Sequence, residues 1–170
     1  FVVMYGNGVM ENLKMDISDS YITNTKDVVK KYARTRVADV LSGSITNSLD
    51  LEAALVYETT SNVAADSKST SWTSFGLRPT YFFSDNVSWV FEAGMSSYKD
   101  DNASKTYSLT RLTTGPQISF KRGQYARPVV RAYVTNTSWN DDFKSTLSSD
   151  LAYSDKKSAT NFGVQAEVWF

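Results

Sequence analysis

The side chains that could do chemistry in this chain are few in kind. Cysteine and histidine are both absent, which excludes thiolate nucleophiles, disulfide frameworks, zinc sites built on His or Cys, and imidazole acid–base catalysis. Carboxylates remain, but no acidic pair stands in a recognisable catalytic motif, and Asp or Glu without such a setting is ordinarily solvated. The chain therefore reads as no enzyme, with no metal and no cofactor. Eighteen basic residues are matched by eighteen acidic ones spread along the sequence, so nucleic acid is not an expected partner. What is left is non-covalent chemistry, carried by ten Tyr, nine Phe and four Trp set among charged residues.

Those residues must be positioned by β-structure. Abundant aromatics, Ser, Thr, Asn and Asp with only three Pro and eight Gly suit strands joined by polar loops. No window approaches the run of about 18 apolar residues that a membrane helix needs, so any crossing of a bilayer is made by strands. No signal peptide is visible: Phe1-Val2-Val3-Met4-Tyr5 reads as a strand already under way, which predicts a removed leader or a missing N-terminal part. Eight strands are predicted, over 1–5, 34–41, 49–58, 71–83, 87–98, 106–120, 126–139 and 162–170, and the charged run 26–31 reads as loop. The connections 6–33, 59–70, 99–105 and 140–161 are longer and polar, whereas those between them are short, Ser84-Asp85-Asn86 being the clearest turn. Long loops at one end and tight turns at the other are the habit of outer-membrane barrels, whose turns face the periplasm.

Alternation assigns faces. In the last strand Phe162, Val164, Ala166, Val168 and Phe170 share one side, and Gly163, Gln165, Glu167 and Trp169 the other. Leu49, Leu51, Ala53, Leu55 and Tyr57 repeat the pattern, as do Val87, Trp89, Phe91, Ala93 and Met95. In 71–83 the apolar side is Phe75, Leu77, Pro79, Tyr81 and Phe83, with its aromatic end against the short turn, where an interfacial girdle would sit. A soluble β-sandwich would alternate equally well. The chain stops at Phe170 directly after an alternating strand, as outer-membrane proteins do so that the barrel-assembly machinery can read the last strand, and this favours the barrel. Alternation weakens around Arg111 within 107–120, which predicts a bulge or altered turn there.

Four blocks resemble the maltoporin-type sugar porin family. Ser71-Trp72-Thr73-Ser74-Phe75-Gly76-Leu77-Arg78-Pro79-Thr80-Tyr81 resembles Trp-Thr-Val-Gly-Ile-Arg-Pro-Met-Tyr, and Phe1-Val2-Val3-Met4-Tyr5 resembles Phe-Val-Val-Gln-Tyr. Tyr125-Ala126-Arg127-Pro128-Val129-Val130-Arg131-Ala132-Tyr133, with Trp139-Asn140-Asp141 downstream, is similar to Trp-Ser-Arg-Pro-Ala-Ile-Arg-Val-Phe and a later Trp-Asp. Phe162-Gly163-Val164-Gln165-Ala166-Glu167-Val168-Trp169-Phe170 is similar to Phe-Gly-Ala-Gln-Met-Glu-Ile-Trp-Trp.

The resemblance implies an all-β, antiparallel transmembrane barrel of eighteen strands, of which residues 1–170 form the last eight within a single domain. It also implies a homotrimer in outer-membrane lipid that passes sugars or oligosaccharides by facilitated diffusion along a ribbon of lumen aromatics. Trp169 matches the family's penultimate Trp, and Tyr125 stands where maltoporin has Trp, a smaller stacking surface with an added hydroxyl. Parity agrees, since Trp169 shares a face with Gln165 and Glu167, and Tyr125 shares odd parity with Arg127 and Arg131. Tyr133 and Glu167 complete the expected pore lining. The bland alternatives are an interfacial anchor for Trp169 and mutual charge compensation for Arg78, Arg127, Arg131, Asp50, Glu52, Glu58 and Glu92. Trp72 and Trp139 lie near long loops and either guide sugar at the outer mouth or close down those loops. The competing architecture is a complete eight-stranded barrel with a filled interior and a structural or adhesive role.

Overall fold

A computed structural model describes residues 1–7, 33–61, 69–101, 103–123, 125–147 and 152–168. The strands are β1 (Val2–Asn7), β2 (Ala33–Thr46), β3 (Leu49–Ser61), β4 (Thr70–Phe82), β5 (Val87–Asp100), β6 (Lys105–Ser119), β7 (Val129–Trp139) and β8 (Ser158–Glu167), with one short helix, α1 (Asp141–Lys144), between the last two. They form one sheet in sequence order, every neighbouring pair antiparallel. Among the described residues β1 and β8 do not pair, so the sheet is open at both edges, unlike the closed eight-stranded alternative. The expected run 26–31 and Trp169 lie outside the described residues.

The sheet is inside out by the standard of a water-soluble protein. Register puts Leu55, Phe75 and Met95 in one row and Ala53, Leu77, Ala93 and Leu112 in the next, on a single face. Leu55, Phe75, Met95 and Leu112 are exposed, and on the same face Phe91 is 52% accessible and Phe162 88%. The opposite face buries polar groups, with Ser88 at 1% and Gln117 at 4%. A soluble sandwich would cover the apolar face with a second layer, and the described residues provide none. Asp39 is the one mid-strand charge on that face among the described strands.

Several boundaries differ from expectation. The strand expected over 126–139 starts at Val129, just after Pro128, which has no N–H to give to a ladder. The last strand begins four residues early, at Ser158. The connection expected to be long at 99–105 is shorter, since β5 runs to Asp100 and β6 starts at Lys105, its register partner, with Ser104 at φ 54°, so loop length alternates less cleanly than the sequence suggests. The bulge expected near Arg111 is absent: β6 pairs with β5 without a break from Lys105 to Ile118. Outward-facing Ser108 and Thr110 and inward-facing Leu109 had blurred the alternation, not an extra residue. A register shift does occur between Ser44 and Thr46 at the β2–β3 turn.

Turns at one end are stitched to one another. Phe82 N donates to Ser48 O at 2.8 Å, Ser119 N to Asn86 O at 2.9 Å, and the Asn86 side-chain amide to Phe120 O at 2.8 Å. At the other end Asn140 caps α1 by accepting from Phe143 N at 3.0 Å, and the same side chain binds Ser108 N and Thr106 O of β6. Capping a helix start and satisfying an adjacent strand with one amide ties the β7–β8 connection to the sheet. Trp139 belongs to this loop packing: its ring lies 6.3 Å from Phe143 and 6.5 Å from Tyr153, and Nε1 donates to Lys156 O at 3.0 Å.

Candidate functional site: the polar concave face

Glycine and proline decide how closely β6 and β7 approach. Pro116 offers no N–H, and pairing lapses at Gly115–Pro116 before the register resumes unchanged at Gln117–Arg131. There the β7 backbone leans over Gly115, where an added Cβ would overlap the Ala132 carbonyl oxygen. Leu77–Ala93 and Thr80–Val90 bracket a similar lapse at Arg78–Pro79. Next to Gly115, the Tyr133 ring covers cross-strand Gly163, whose missing Cβ would stand 2.7 Å from the phenol oxygen. Glycine under an aromatic on the neighbouring strand is a recurrent stabilising pair, and it holds Tyr133 down against the wall.

Charged side chains gather around this point. Arg127 Nη2 donates to Glu167 Oε1 at 2.7 Å, while Arg131 Nη2 lies 3.6 Å from Oε2, so two guanidinium groups share one carboxylate. Arg111 Nη2 donates to Glu92 Oε1 at 2.7 Å. Register carries the row on through Glu52 opposite Arg78. Charge compensation in a polar wall, expected from sequence, accounts for these pairs. The Nε groups of Arg78 and Arg131 are buried with no protein acceptor among the described residues. A concavity on this face is lined by Glu92, Arg111, Thr113, Arg131, Tyr133 and Gln165.

Of the residues singled out from sequence, Arg127, Arg131, Tyr133 and Glu167 are brought together here. Tyr125 is not on a strand, so parity does not place it; it is 60% exposed on the 120–128 turn, with its hydroxyl 3.4 Å from Ser42 Oγ of β2. That contact carries the turn across the concave face, where Arg122 also lies over the Phe82 ring at 4.8 Å. Sequence reasoning named Arg78 and Glu92 but gave no role to Arg111, because its face was obscured by the polar residues outside it. It also missed Arg36, whose Nε donates to Glu58 at 2.6 Å, and the pairing of Tyr98 with Tyr107.

Among the described residues no cluster of His, Cys, Asp or Glu could hold a metal. The concave surface can offer hydrogen bonds and aromatic faces to something that passes. Apolar side chains outward and paired charges inward are the arrangement of a membrane barrel wall. The sequence matches the LamB porin family over residues 1–170, the whole chain, and the chain therefore belongs to that family of outer-membrane channels.

Proposed function

We propose that the chain is the C-terminal part of an eighteen-stranded barrel, one subunit of a homotrimer in the outer membrane, that lets sugars diffuse through its water-filled lumen. The observation that carries this reading is the inverted sheet, with Phe91 and Phe162 exposed and Ser88 and Gln117 buried. Lipid on the first face and water on the second make that distribution favourable. No cofactor and no covalent step are involved. Trp169 and Tyr125 supply stacking surfaces, and Arg127, Arg131, Tyr133 and Glu167 exchange hydrogen bonds with sugar hydroxyls. Passage is fast because each contact is weak enough to release. The last strand is also the part that the barrel-assembly machinery would grip.

The role of Trp169 is tested by sugar-induced block of ion current in planar bilayers. Trp169→Ala should raise the half-blocking concentration roughly fivefold, the equivalent of about 1 kcal/mol of lost stacking, with open-channel conductance retained. Unchanged half-blocking concentrations for every sugar that blocks the wild type would make Trp169 an interfacial anchor.

Topology follows from the same reading. The turns at 47–48, 83–86 and 120–128 face the periplasm, and the 140–157 connection faces outward. Cysteine at Asp155, exposed on that connection, should react with an impermeant thiol reagent on whole cells. Reaction only after the outer membrane is breached would invert the orientation.

A further inference from the structure

Three aromatic side chains that the proposed sugar path does not use stand side by side on the concave face. Trp72 of β4 pairs in register with Tyr98 of β5, and Tyr98 with Tyr107 of β6. Each lies two residues inside the end of its strand, at the end remote from the turns at 47–48 and 83–86. The Tyr98 and Tyr107 rings are 6.1 Å apart and 29° from parallel, and Tyr98 is 41% exposed. The Trp72 indole is fixed by Nε1 donating to Ser96 Oγ at 2.7 Å. On β3 the same row continues with Glu58, the register partner of Trp72. Its carboxylate takes Arg36 Nε at 2.6 Å and lies 3.5 Å from Arg34 Nε.

One ordinary duty for such rings does not apply. They are not lipid anchors: they face inward, and the outward residues at their height on β4, β5 and β6 are Thr73, Ser97 and Ser108, above the band of Leu55, Phe75 and Met95. The β7–β8 connection is itself held by Trp139, whose ring meets Phe143 and Tyr153.

We infer that Trp72, Tyr98 and Tyr107, with the Arg36–Glu58 pair at their end, form a docking platform for a neutral oligosaccharide at the loop-side mouth. The inference rests on the reading of the pore as a sugar channel. Strands about 4.8 Å apart space the three rings over a length that suits a disaccharide lying across them. The C–H groups on one face of a pyranose are apolar and weakly positive, and they match the negative face of an aromatic ring. The Arg36–Glu58 pair presents donors and acceptors together, which suits vicinal hydroxyls and no net charge. A molecule held here is concentrated at the mouth before it meets the Arg127–Arg131–Glu167 region deeper in.

The test is single-channel recording of the intact porin, with a linear glucose oligosaccharide such as maltohexaose added to one side at a time. The rate of blocking events from the loop side should fall roughly fivefold in a Tyr98→Ala, Tyr107→Ala double variant, as expected for loss of stacking at a capture site. The rate from the turn side should stay at the wild-type value. Tyr98→Phe with Tyr107→Phe keeps both rings and should restore loop-side capture. Wild-type rates from both sides in the alanine variant, or an equal fall from both, would overturn the platform while leaving the sugar channel standing. A wild-type channel that no sugar blocks would overturn both.

Discussion

Leu55→Arg should cost about 2–4 kcal/mol of folding free energy in a bilayer, the price of an arginine on the lipid face near the midplane of a barrel. Leu55 lies mid-strand in β3, 47% exposed, in a row with Phe75 and Met95. Its chain neighbour Ala54 points the other way, towards Gly76 and Gly94, where an arginine would enter an open polar groove with Glu52 two residues along the same face. Ala54→Arg should therefore fall within about 1 kcal/mol of wild type, as lumen substitutions on a polar wall do. Urea titrations of the intact porin folding into liposomes measure both. Equal losses for the two variants would mean that the Leu55 face does not meet lipid.

Gly115→Val should destabilise by about 3 kcal/mol, the upper part of the usual range for overpacking, because the obstacle is backbone. A Cβ at Gly115 overlaps the Ala132 carbonyl oxygen, and no side-chain rotation clears it. Either β7 moves away, weakening its contacts with β6 and disturbing Tyr133, or the barrel forms incompletely. Gly94 is the control: its Cβ would come no closer than 3.7 Å to the Phe75 carbonyl oxygen, an ordinary contact, so Gly94→Ala should change stability by less than about 0.5 kcal/mol. The same urea titration reads the pair. Similar values for the two variants would show that the approach at Gly115 is not tight in the folded barrel.

What was legible in the sequence was the period. Leu49 to Tyr57 and Val87 to Met95 alternate without interruption, and their faces are as predicted. Period two fixes faces but not solvent; the solvent was decided by which face is left exposed in the folded sheet. Where both faces carry small polar residues, as with Ser108, Thr110 and Thr114 outside and Thr113 inside, the pattern falls silent and a straight strand reads as a bulge. Contacts across strands were out of reach as well. Nothing local links Arg127 to Glu167, or Gly163 to Tyr133; register brings them together. The start of β7 was misplaced because the expected strand was carried through Arg127-Pro128, where proline offers no N–H to the ladder.

The central claim is that one face of this sheet lines a water-filled pore and the other meets lipid. Single cysteines are placed in turn at positions 91 to 96 of β5 in the intact porin, with any cysteine outside these 170 residues first replaced by serine. Ion current is then recorded as a charged, water-soluble methanethiosulfonate reagent is added. Current should drop at Glu92, Gly94 and Ser96 and stay constant at Phe91, Ala93 and Met95. A current that responds at the odd positions, or at none of the six, would contradict the account.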